Sequence, residues 1–61
     1  MKLKIKRIDC GMTLERMAER LGITTVTYRT WEMNPQKITV ENAKKICFIL
    51  KCKFEEIDEW K

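Results

Sequence analysis

Apolar residues recur along this chain at intervals of three and four, which gathers them on one side of a helix and lacks the alternation of a strand. Between Thr13 and Gly22 they fall at Leu14, Met17, Ala18 and Leu21, the i, i+3, i+4, i+7 set. Thr13 brings a side-chain oxygen for the unpaired amides of that helix start, and Gly22 brings a left-handed stop. The same spacing predicts helices at about 2–10, 14–21, 25–33, 40–50 and 54–60. Leu3 and Ile8 are the inward residues of the first, which ends at Gly11, and Tyr28 and Trp31 those of the third, which Thr24 caps. Asn34-Pro35 stops the third helix, because the residue before a proline leaves helical conformation and proline has no N–H to donate. Thr39 caps the fourth, whose inward set is Val40, Ala43, Ile46, Cys47 and Leu50; the fifth offers Phe54 and Ile57. The fold class expected is all-α, with five short helices in one domain over residues 1–61.

Composition narrows the functions such a fold can carry. At 61 residues there is no room for a second core or for an enclosed active site of ordinary size. Three cysteines (Cys10, Cys47, Cys52) and no histidine leave no Cys2His2 set, no CxxC pair and an odd thiol under any pairing. A reducing cytoplasmic setting, no metal or cofactor and no enzymatic activity follow as expectations. The longest strictly apolar run, Ile46 to Leu50, is far below the roughly 20 residues of a spanning helix, and basic Met1 to Arg7 is followed by no apolar signal segment, so no membrane partner is expected.

Charge points to an anionic partner and to one side of the molecule. The net charge is +4, and residues 1–37 hold all of the excess with eight Lys/Arg against four Asp/Glu, while residues 38–61 carry five of each. Glu55, Glu56, Asp58 and Glu59 make the end of the chain locally acidic, a surface that a polyphosphate would repel.

The informative pairing is helix 14–21, a three-residue turn, and helix 25–33. So short a turn makes the helices cross steeply and leaves the outer face of the second projecting, where a DNA major groove can receive it. Thr24, at the positive end of that second helix, is an expected phosphate binder as well as a cap. Phe48 falls off the inward stripe of its helix, and with Trp60 it forms an expected apolar face for a second subunit.

The stretch from Gly11 to Glu32, with its Met17-Ala18-Glu19-Arg20-Leu21-Gly22 core and Trp31-Glu32 at the end of the second helix, resembles the phage repressor and Cro-like helix-turn-helix regulators, the XRE family. Asn34 to Ile46 is similar to the loop and fourth helix of that family, so the resemblance covers nearly the whole chain. It implies a compact lambda-repressor-like DNA-binding domain, acting as a small repressor that binds a double-stranded operator, commonly as a homodimer, with no small-molecule ligand. By position it makes Thr25, Val26, Arg29 and Thr30 the base readers, with Arg29 suited to guanine O6 and N7 and Val26 to a thymine methyl. It adds Lys37, in the loop where family members often meet the backbone, to Thr24 and the amides near Thr13 as expected phosphate contacts, with Lys4, Lys6 and Arg16 as weaker ones. It also implies a partly buried ion pair between Arg7 and Glu32. Two residues depart from the family: Leu14 stands where a phosphate-binding glutamine is usual, and, a smaller departure, Lys53 replaces the usual capping residue before the last helix. Two other readings stay open: a protein-interaction module on the same scaffold, using Phe48, Trp60 and the acidic end, or a DNA-binding antitoxin or control protein.

Overall fold

Helices and single 3-10 turns account for all the regular structure in the computed structural model, which describes residues 1–60; Lys61, the last residue of the expected domain, lies outside them. In chain order they are α1 (Leu3–Asp9), α2 (Leu14–Leu21), α3 (Thr25–Met33), a 3-10 turn at Pro35–Lys37, α4 (Val40–Leu50), and 3-10 turns at Phe54–Glu56 and Asp58–Trp60. There is no strand among the described residues, and none of their helices is long and apolar enough to cross a membrane.

Threonine opens three of the four helices by the same short-range bond. Thr13 Oγ1 accepts from the Arg16 amide at 3.0 Å, Thr24 Oγ1 from Thr27 at 3.2 Å and Thr39 Oγ1 from Asn42 at 3.2 Å. Gly11 and Gly22, both at φ +71°, turn the chain after α1 and α2; an added Cβ would meet nothing within 4 Å at either, so backbone conformation is what calls for glycine.

α1 is capped from the far end of the chain. Lys2 offers no capping side chain, and the Leu3 amide donates instead to Glu59 Oε1 at 3.0 Å. Asp58 Oδ2 lies 3.0 Å from the amino group of Met1, and Glu56 Oε1 lies 3.9 Å from Lys6 Nζ. Carboxylates at a helix start satisfy amides that have no partner within the helix and oppose its dipole. The acidic end is therefore part of the scaffold.

That arrangement replaces the expected fifth helix with two 3-10 turns. Lys53 has no acceptor to cap a helix, although Glu56 Oε2 reaches back to its amide at 2.6 Å. Ile57 is extended (φ −95°, ψ 110°), and the Asp58 amide bonds the Met1 carbonyl at 3.0 Å, so no i→i−4 ladder develops. Trp60 closes the segment by stacking on Phe54 at 5.3 Å and donating its indole N–H to the Pro35 carbonyl at 2.9 Å.

Leu3, Met17, Tyr28, Ile46, Leu50 and Ile57 are fully buried, and Ala18, Ile38 and Ala43 join them in one core. Two expected core residues are outside it. Ile8 is 54% exposed, because the position one turn after Leu3 on α1 is taken by Arg7, which is buried despite its charge. Val40 is 62% exposed at the first position of α4, and Ile38, just before the cap, is the buried residue there.

Candidate nucleic-acid interface

The turn between α2 and α3 is held by short bonds and one apolar plug. The Gly22 amide donates to Glu19 and the Ile23 amide to Ala18, at 3.2 and 3.0 Å, and half-buried Ile23 packs on the core. α3 is anchored through one side only: Tyr28 is fully buried, and half-buried Trp31 meets its ring edge-on at 6.4 Å. The opposite side stands in solvent. At about 100° per residue, Val26 and Met33 share its outermost line, with Arg29 on one flank and Thr30 on the other. Val26 is 76% and Met33 74% exposed, Arg29 and Thr30 are exposed, and Thr25 is half-buried toward the core side.

Hydrogen bonds distinguish the threonines. Thr24 Oγ1 accepts the Thr27 amide and gives its proton to Thr27 Oγ1 at 2.9 Å, so Thr24 works as a cap. Thr27, exposed and accepting from Thr24, keeps its own hydroxyl proton on the outer surface. The sequence reading passed over Thr27, and the Thr-x-x-Thr spacing is the signal that could have found it. Thr30 Oγ1 donates to the Val26 carbonyl at 3.0 Å, which commits its only donor to the helix.

Arg29 makes no ion pair with any described residue. It borders a shallow cavity of about 270 Å³ together with Lys4, Arg7, Leu14, Glu32 and Met33. Glu32, the one acid there, is committed to Arg7: Nε donates to Oε2 at 2.6 Å and Nη2 to Oε1 at 3.3 Å, while Nη1 donates to the Met12 carbonyl at 2.7 Å. The pair ties α1 to α3 and leaves Arg29 and Lys4 as a small electropositive rim. Tyr28 lies behind it with no hydrogen bond of good geometry for its hydroxyl. Burial first, and the Glu32 carboxylate beside it second, push that phenol far above its ordinary range, so it is neutral at any working pH.

Leu14 is half-buried against the core and lines the same cavity, a packing role that a glutamine would fill poorly. Around it, the amides of the first turn of α2 beyond the Thr13 cap remain unpaired by the helix. Arg16 is exposed and only loosely held, 3.7 Å from Glu19 on its own helix, a contact that solvent screens. Lys37 is exposed on the 3-10 turn that follows α3. Lys6, by contrast, faces Glu56 and the acidic end.

A second apolar feature lies between α2 and α4. Phe48, 81% exposed, borders an open groove of about 500 Å³ with Leu21, Ile49, Arg20, Lys44 and Lys45. Trp60 does not share this surface, because its ring stacks on Phe54 and its N–H is bound to Pro35. With Glu56, Asp58 and Glu59 engaged on Lys6, Met1 and Leu3, Phe48 is the apolar part that remains of the surface expected for another protein.

The thiols are unpaired: Cys47 is buried, Cys52 half-buried and Cys10 exposed. Burial, with Cys52 adjacent, pushes Cys47 up to about 12, and burial also raises Cys52, the reverse of what a nucleophilic thiol needs.

A family model described as helix-turn-helix matches residues 3–57. No curated protein and no solved structure gives a significant match.

Proposed function

We propose, on the premise that the chain belongs to the helix-turn-helix family of DNA-binding transcription regulators, that it is a small cytoplasmic repressor of the phage repressor and Cro-like type. It lays α3 in the major groove of a duplex operator and blocks transcription by occupancy. Arg29 forks onto a guanine, Val26 meets a thymine methyl, and Thr25 and Thr30 contact the neighbouring steps. Thr13 and Thr24 with the amides beside them, Arg16 and Lys37 hold the phosphates on either side.

One observation carries this reading: the inner side of α3 is locked by Tyr28 and Trp31 while its outer side, Val26 and Arg29 included, is open, and among the described residues the cavity beside Arg29 holds no acid but the committed Glu32. The test is titration of the chain against a random-sequence duplex at several salt concentrations. Log affinity is expected to fall with log salt, by about 0.9 for each phosphate that a Lys or Arg neutralises. A flat dependence would remove the physical basis of the reading.

The homodimer belongs to the same reading. Two copies on adjacent half-sites meet over Phe48, and the cations Arg20, Lys44 and Lys45 around it oppose their pairing until DNA holds both. The chain alone is expected to sediment as a monomer and to bind a two-half-site duplex cooperatively. Phe48→Ser should abolish the cooperativity and leave affinity for a single half-site unchanged. A stable dimer without DNA, or cooperativity that survives the substitution, would show that the copies meet elsewhere.

A further inference from the structure

The outermost line of α3 has almost no means of hydrogen bonding. The two residues on it, Val26 and Met33, are exposed and apolar, and Thr30 beside them has given its proton to the Val26 carbonyl. A Thr hydroxyl turned back onto its own helix leaves the methyl as the group facing away from that bond. Arg29 is the one strong donor among these four residues. In a major groove, the apolar group that a base edge presents is the 5-methyl of thymine.

We infer that α3 selects its DNA through thymine methyl groups, contacted by Val26 and Met33 with the Thr30 methyl alongside, and that Arg29 adds a single guanine contact. The inference rests on the DNA-binding reading above. Val26 and Met33 are seven residues apart, about 10 Å along a helix at its usual rise. Base pairs stack at about 3.4 Å, so the two side chains address methyls at most about three steps apart, fewer as the helix tilts across the duplex axis. Cytosine methylated at C5 presents the same group in the same groove, so the surface is also one that would sense that modification.

The test starts from sites enriched by the chain out of a random duplex pool and substitutes deoxyuridine for each thymine in turn, which deletes the methyl and keeps the pairing. Affinity is expected to fall about four-fold at one or two thymines, the equivalent of about 0.8 kcal/mol for each methyl withdrawn from apolar contact. In Val26→Ala the thymine-to-uracil ratio at one of those steps should fall to about one, and in Met33→Ala the ratio at the other. Both residues lie in solvent, so the variants should fold as the parent does, which their thermal melts verify. Enriched sites that bind equally well with uracil at every position would overturn the inference while leaving the DNA-binding reading intact. Failure to enrich any site, together with binding that ignores salt, would overturn both and make the exposed line of α3 a protein-facing surface.

Discussion

Glu32→Ala should lower the free energy of unfolding by about 3–5 kcal/mol in a urea titration, the range for removing one partner of a buried ion pair. The side chains of Arg7 and Glu32 are 8% and 7% exposed, and the guanidinium is held by two bonds to the carboxylate and one to the Met12 carbonyl. Deleting the carboxylate strands a desolvated cation with one carbonyl for company. Stability in a domain of this length runs to roughly 3–9 kcal/mol at the usual value per residue, so the substitution should remove a large share of it and bring the urea midpoint down accordingly. The penalty belongs to the stranded charge, and Arg7→Met with Glu32→Leu should therefore recover most of the loss, since apolar replacements of similar size commonly match a buried pair. A cost for Glu32→Ala below about 1 kcal/mol would place the pair with screened surface contacts such as Arg16–Glu19.

That pair also marks how far the sequence could be read. α2 and α3 were legible because their determinants are local: a threonine cap, helical spacing, a glycine or proline stop, each within a few residues of what it governs. α1 was harder. Its inward line runs from Leu3 to Arg7, and a reading that sorts residues by polarity sends Arg7 outward and brings in Ile8. Only the resemblance to known regulators, with the pairing to Glu32 that it implies, indicated otherwise. The end of the chain misled for a different reason. Phe54 and Ile57 have helical spacing, yet the Asp58 amide and the Glu59 carboxylate bond to Met1 and Leu3, more than fifty residues away in sequence, and no window of local pattern contains that partner. The same nonlocal bonding withdrew Trp60 from the expected subunit surface. Within the site, exposure on α3 followed from the helical period, whereas the direction of each hydroxyl did not. Thr24, Thr27 and Thr30 are alike as letters and differ in where their protons go. Met33, which the period puts on the line of Val26, was not among the base readers that the resemblance implied.

Arg29→Ala should reduce discrimination at a single base pair by about 1–3 kcal/mol, the worth of a bidentate contact to guanine, while binding to unrelated duplex stays nearly constant. The reasoning begins with what Arg29 lacks. It has no acidic partner among the described residues, and the rim around it is cationic through Lys4, so the guanidinium has no intramolecular bond to break before it meets a base. For the same reason its removal should change stability by no more than about 0.5 kcal/mol, as usual for an exposed position away from caps and core. Any loss of recognition then reports on DNA and not on folding. Lys37→Ala supplies the contrast. On the turn after α3 it faces the sugar-phosphate backbone in the proposed pose, and its loss should weaken every sequence alike and reduce the salt slope by about 1. Competition assays with the enriched site and each of its single base-pair variants separate the two behaviours. Arg29→Ala should flatten the preference at one position only. A uniform decline across all variants would assign Arg29 to phosphate, and the guanine step of the proposed site would then have no reader on α3.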